Sequence, residues 1–139
     1  MARVTHLLDN SVYVRIARDQ GVSSVVDRLT REGRLGRASV FDMEALFSTR
    51  ARDYEAVSAA LLSFPLVPTH QADWDRAIQV MDRLATSGRH RAARIPDLLV
   101  AAVAERVGLT VLHYDHDFEI IGELTGQAME AVVPLGTVG

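Results

Sequence analysis

Apolar and polar positions recur with different periods along this chain, and each change of period marks an element. Val4 to Leu8 is a short, largely apolar run that reads as a strand. It ends in Asp9-Asn10-Ser11, three residues able to cap a helix, after which Val12, Ile16 and Ala17 fall at helical spacing. Val25, Val26 and Leu29 continue the helical pattern until Gly33, and Arg34 to Ser39 offers a second short strand. Ser39-Val40-Phe41-Asp42 matches a capping box, which predicts a helix from Val40 to about Thr49 with Glu44 inside it.

Tyr54, Val57 and Leu61, then Trp74, Ala77, Ile78, Met81 and Leu84, mark the apolar faces of two longer helices separated by Pro65 and Pro68. Tyr54 and Trp74 are therefore expected in the core rather than as platforms for stacked bases. Gly88 closes the second helix, and Pro96 suits the first position of another that runs through Leu98 to Ala104 and stops at Gly108. That stretch is apolar all round for two turns, which predicts burial on most sides. Leu109 to His113 is β-prone, Asp115 to Leu124 helical, and Ala131 to Val133 a last strand. Strands separated by helices predict an α/β fold with a central parallel sheet flanked by helices, whose sites gather outside the carboxyl ends of the strands.

The length of 139 residues fits one domain, residues 1–139, with 48% hydrophobic and 24% charged positions. There is no cysteine, which removes disulfides, thiolate nucleophiles and cysteine zinc clusters. All fifteen basic residues are arginine, and the missing lysine removes a Walker P-loop and Schiff-base chemistry. Met1 to Asn10 has no long apolar segment of the signal-peptide kind, and the longest charge-free stretches are broken by proline or rich in glycine. The expectation is a cytoplasmic protein with no membrane partner.

Five acids stand where the chemistry of such a fold collects. Asp9 follows the first strand, Asp115 and Asp117 follow the strand ending near His113, Asp97 opens the buried helix, and Glu44 lies one turn into its own. Each has a structural explanation taken singly: Asp9 as a cap, Asp97 as a charge favoured by the helix dipole, Asp115 or Asp117 as a cap. Glu44 is harder to explain that way. Its neighbours three and four residues away are Val40, Phe41, Phe47 and Ser48, a mainly apolar surface on which a lone carboxylate is costly. If one sheet edge gathers these acids, they raise one another's pKa unless a cation neutralises them. Oxygen donors alone call for a hard ion, Mg²⁺ or Mn²⁺, of the kind that serves phosphoryl transfer.

The ordered set resembles a PIN domain, and more closely the VapC-type toxins of bacterial toxin–antitoxin pairs. The residues that carry it are Asp9 after the first strand, Glu44, Ile95-Pro96-Asp97-Leu98-Leu99 opening the Ala-rich helix, and Leu112-His113-Tyr114-Asp115-His116-Asp117-Phe118. The resemblance covers nearly the whole chain. It implies a PIN-like α/β/α sandwich and a metal-dependent endoribonuclease. It also implies a homodimer, inhibited by a cognate VapB-like antitoxin and acting on RNA of the tRNA or rRNA class. Carried over by position, Asp9, Glu44, Asp97 and Asp115 match the acidic quartet, Asp117 an additional acid, and Ser11 a small polar residue beside the first aspartate. Where many members have Ser or Thr shortly before the fourth acid, this chain has His113 and Tyr114.

Other readings have weaker support. His113 and His116 are three apart across a strand-to-helix junction and lack a third distant partner for zinc. No Gly-x-Ser-x-Gly elbow exists, and receiver or haloacid-dehalogenase chemistry needs a lysine. A catalytically silent PIN fold that binds RNA or protein is the alternative, and it predicts lost acids.

The net charge of −3 argues at first against a nucleic-acid partner. Setting the five acids aside leaves thirteen against fifteen arginines, and the arginines are grouped. Arg83, Arg89, Arg91 and Arg94 form one acid-free block that leads directly to Asp97, which marks Arg89, Arg91 and Arg94 as candidate phosphate contacts. A second block, Arg28 to Arg37, reads as a solvated surface.

Overall fold

The computed structural model describes residues 3–138. In chain order the elements are β1 (His6–Leu8), α1 (Asn10–Tyr13), α2 (Gln20–Arg31), β2 (Leu35–Gly36), α3 (Ser39–Phe47), a 3-10 turn (Ala51–Asp53), α4 (Tyr54–Leu61), α5 (Gln71–Ala85), α6 (Ile95–Val107), β3 (Thr110–His113), α7 (His116–Thr125) and β4 (Met129–Ala131). The four strands form one parallel sheet in the order β2-β1-β3-β4. The chain leaves β1 toward one edge and leaves β3 toward the other. The point where the direction of winding reverses therefore lies between β1 and β3, and a crevice opens at their carboxyl ends.

Alternation along the two central strands divides the core. Leu7 and Val111 face α5, α6 and α7, where Val80, Leu84, Val100, Val103, Phe118 and Ile121 are buried. Leu8 and Leu112 face the other way, onto Val12, Val26, Leu29, Phe41 and Phe64. Each large apolar side chain so enclosed stabilises the fold by about 1.5–3 kcal/mol relative to exposure. Helix α6 is buried from Asp97 through Ala104, as its unbroken apolar run predicts. Gly108 ends it in the left-handed conformation, φ 75°, which a side chain would strain.

Three local expectations are corrected. The first helical stretch is two helices: residues 14–18 turn, and Asp19 starts α2 by accepting the Val22 N–H at 2.9 Å. The capping box at Ser39 does not form. Ala38 occupies the cap position without a side-chain bond, and Asp42 instead pairs with the buried Arg37, whose Nε also donates to Phe64 O at 2.9 Å. Tyr54 and Trp74 are not core residues; their exposures are 49% and 45%. The apolar stripes on α4 and α5 are real but wider than the surface the fold covers.

Two ion pairs tie α5 to α6. Arg106 donates from Nε to Asp73 Oδ1 at 2.8 Å and from Nη2 to Pro68 O at 2.7 Å, while Arg76 Nε donates to Glu105 Oε1 at 2.7 Å. Burial raises the proton affinity of Asp73, but the Arg106 bonds and the His70 N–H outweigh it and hold the carboxyl below its usual range.

Candidate metal centre

Parallel pairing of β1 with β3 sets Leu8 against Leu112, so both strands deliver their next residues to the same crevice. Asp9 leaves β1 with its backbone N–H donated to Leu112 O at 3.1 Å. Two residues later the Ser11 N–H and hydroxyl both donate to Asp9 Oδ2, at 2.9 and 2.6 Å. The same Ser11 oxygen accepts the Tyr114 N–H at 2.9 Å and so joins the loop after β1 to the loop after β3. Asp115 caps α7, its Oδ1 accepting the Asp117 N–H at 2.9 Å. Asp97 lies in the first turn of α6, fully buried.

Asp97, Asp115 and Asp117 each direct a carboxylate oxygen into one volume, with those oxygens within 4.8 Å of one another. Asp9 is close enough for its charge to raise the proton affinity of Asp97, and Glu44 feels both Asp9 and Asp115. Asp97, Asp115 and Asp117 thus form the compact group, while Asp9 and Glu44 stand outside it but near enough for charge to be felt between them and its members. Burial is the largest influence on Asp97, followed by the charge on Asp9 and the adjacent Asp117 carboxyl, and together they push its pKa up to about 8. Burial also raises Asp9, against the Ser11 bonds, and raises Glu44 together with the charge on Asp9.

The hydrogen-bond inventory tests whether a cation fits. Asp9 Oδ1, Glu44 Oε1 and both oxygens of Asp97 are buried without a hydrogen-bond partner among the described residues. Such groups are costly unless something compensates them. A hard divalent ion bound by carboxylate oxygen satisfies these atoms and offsets their charge. The donor set therefore fits a metal of the Mg²⁺ and Mn²⁺ type, without identifying which.

Arg94 is the only one of the three candidate arginines that pairs with these acids among the described residues. Its Nε lies 3.6 Å from Asp97 Oδ2 and its terminal nitrogen 3.7 Å from Asp115 Oδ2. Arg89 and Arg91 are exposed in the segment between α5 and α6, Arg89 donating to Ser87 Oγ at 3.2 Å. Arg37, in the second arginine block, is buried against Asp42 and Phe64 and is structural. His113 is fully buried, accepts the Asp115 N–H at Nδ1 (3.2 Å) and lies against the Phe118 ring. Burial lowers its pKa and keeps it neutral. His113 takes no part in the cluster of metal-ligand type formed by Asp97, Asp115 and Asp117.

Sequence reasoning assigned Asn10 only to helix capping. The structure lines one apolar cavity with Asn10, Met43, Glu44, Phe47 and Pro96, and leaves Asn10 Oδ1 buried and unpartnered. The sequence signal was its position directly after Asp9.

A parallel sheet whose winding reverses beside a carboxylate cluster defines an α/β protein with an acidic crevice of metal-binding type. Residues 6–124 match the model of the PIN domain, and the chain belongs to that family. Ribonuclease VapC51 of Mycobacterium tuberculosis is 37% identical over 134 residues, with 96% of each chain covered. Ribonuclease VapC21 of the same organism is 38% identical over 134 residues, covering 95% of this chain and 96% of the relative. Among solved structures, DNA-bound VapBC from Salmonella typhimurium aligns with a TM-score of 0.76 at 19% identity, over 94% of this chain and 99% of that one. VapBC-5 from Mycobacterium tuberculosis aligns with a TM-score of 0.60 at 27% identity, over 94% and 97%.

Proposed function

We propose that this protein is a VapC-type ribonuclease toxin, a single PIN domain over residues 1–139 that cleaves RNA in the cytoplasm with Mg²⁺ or Mn²⁺. The observation that carries this is the set of buried, unpartnered oxygens on Asp9, Glu44 and Asp97 at one crevice of the sheet. A fold kept only for binding has no use for them. Asp9, Glu44, Asp97 and Asp115, with Asp117, would hold the ion. Such an ion would supply charge to offset the scissile phosphate and a lowered pKa for a water beside it.

The chain's own contribution is arrangement. Ser11 fixes the Asp9 carboxylate through two bonds to Oδ2 and leaves Oδ1 buried without a hydrogen-bond partner. Asp97 is immobilised by the buried start of α6. Burial and the neighbouring acids push its pKa up to about 8 even beside Arg94, so in the metal-free protein it holds a proton at neutral pH. Arg94 supplies positive charge beside the acids, and Arg89 and Arg91, exposed in the segment that leads to it, extend that charge for RNA phosphates. The substrate is a single-stranded or looped part of an RNA of the tRNA or rRNA class, where bases are accessible.

An exposed apolar surface supports the assignment of protein partners. Met43 and Phe47 on α3, Ile95 at the start of α6, and Trp74 and Ile78 on α5 are 45–83% exposed, and they line adjoining apolar cavities. A connected apolar surface of this kind marks protein contacts. The partners assigned are a VapB-like antitoxin and a second copy of the chain. Expression in a bacterial host tests the proposal. It should arrest growth, co-expression of an antitoxin encoded beside the gene should relieve the arrest, and Asp97→Asn should remove it. A host that grows normally, or arrest retained by Asp97→Asn, contradicts the proposal.

A further inference from the structure

Arg94 is held in an unusual way for a surface arginine. Its backbone is fixed as the residue preceding α6, where Arg94 O accepts the Leu98 N–H at 3.1 Å. Its side chain is 62% exposed, yet the guanidinium straddles Asp97 and Asp115 at 3.6 and 3.7 Å. Both separations exceed hydrogen-bonding distance, so the guanidinium is attracted to the two acids without being locked to either. Arginine stays charged at any pH the protein meets, so the contact cannot be relieved by losing a proton.

The oxygens it faces, Asp97 Oδ2 and Asp115 Oδ2, belong to two of the three acids that gather into one metal-sized volume. A divalent ion there and the guanidinium compete for the same negative charge and repel each other. A freed guanidinium remains at the rim of the crevice, because its backbone does not move. Its planar fork of donors matches a phosphate.

We propose that Arg94 is a built-in counter-ion of the acidic cluster, which yields the carboxylates when the metal enters and then turns to the RNA phosphate. The inference rests on the metal-centre reading above and adds a residue that opposes metal binding while favouring RNA binding. One cation thereby offsets part of the mutual repulsion around Asp97 and Asp115 before the metal arrives. The same cation reports metal occupancy to the substrate site. Such competition is reciprocal: whatever Arg94 gives to the metal-free site, it takes from metal affinity.

The test is a calorimetric Mn²⁺ titration of the full chain, wild type against Arg94→Gln and Arg94→Lys, paired with RNA affinity measured across a salt series. Arg94→Gln should tighten Mn²⁺ binding about threefold to tenfold, as expected for loss of two loose ion pairs. It should also weaken RNA binding and lower the salt slope by about one. Arg94→Lys keeps a charge and should leave Mn²⁺ binding near the wild-type value, while losing part of the RNA affinity that a planar fork confers. Mn²⁺ binding unchanged or weakened in Arg94→Gln overturns the proposal, and so does an unchanged salt slope. If neither the wild type nor Arg94→Gln binds Mn²⁺, the metal-centre reading falls and the counter-ion role falls with it. A wild type that binds and cleaves while Arg94→Gln changes nothing removes only the role of Arg94.

Discussion

The Ser11 hydroxyl donates to Asp9 Oδ2 at 2.6 Å and accepts the Tyr114 N–H at 2.9 Å, so one small side chain both aims an acid and joins the two strand ends that form the crevice. Ser11→Ala removes both bonds and strands a backbone N–H. Partners of metal-binding carboxylates are commonly worth 10–100-fold in metal affinity, and a loss of about that size is expected here. Stability should fall by about 1–3 kcal/mol. Calorimetry with Mn²⁺ and urea denaturation measure the two effects separately.

Asp97 gives the pH dependence of the metal-free protein a definite sign. Its folded pKa is raised from 3.8 to about 8, so between those values the native state binds a proton that the unfolded state has released. The contribution of Asp97 to stability is full below the unfolded value and is lost as pH rises through the folded one. In chelator, wild-type stability should therefore decline from about pH 4 to pH 8 relative to Asp97→Asn, which has no proton to lose. Urea denaturation of both proteins at several pH values checks this. A variant that loses stability relative to wild type as pH rises contradicts it. Added Mg²⁺ or Mn²⁺ should stabilise only the wild type, and more strongly at higher pH, because binding releases the proton.

Arg106 carries the opposite case. Asp73 is 1% exposed, and Arg106→Ala leaves its carboxylate buried without its main partner. The expected cost at pH 7 is about 3–5 kcal/mol. The folded pKa of Asp73 lies below the unfolded one, so the stabilisation is present above 3.8 and disappears as pH falls through the lower folded value. Wild type and Arg106→Ala should thus converge in acid, as urea midpoints will show.

The legible part of the molecule was the part governed by local period. Asp9 and Asp115 were placed at strand ends because short apolar runs stop there, and Asp97 because Pro96 and an unbroken apolar run mark a buried helix start. Glu44 was singled out by its apolar neighbours, and it is indeed half-buried in the crevice. Tertiary pairing was not legible. Asp42 looked like a capping acid until Arg37, buried beside β2, claimed it. Asp73 and Arg106 lie 33 residues apart, and no local rule links them. Trp74 and Tyr54 show a further limit: periodicity tells which side chains share a face, whereas coverage of that face depends on the rest of the fold or on a partner. Its place in an acid-free block marks Arg94 as a phosphate contact alone, whereas its position between Asp97 and Asp115 depends on tertiary packing.

Cleavage of RNA by the purified protein under control of divalent metal tests the central claim most directly. A pool containing tRNA and rRNA should be cut with Mg²⁺ or Mn²⁺, remain intact in EDTA, and be cut more slowly by Asp97→Asn by about two orders of magnitude or more. Cleavage that persists in EDTA, or that Asp97→Asn retains in full, would contradict a metal held by these acids.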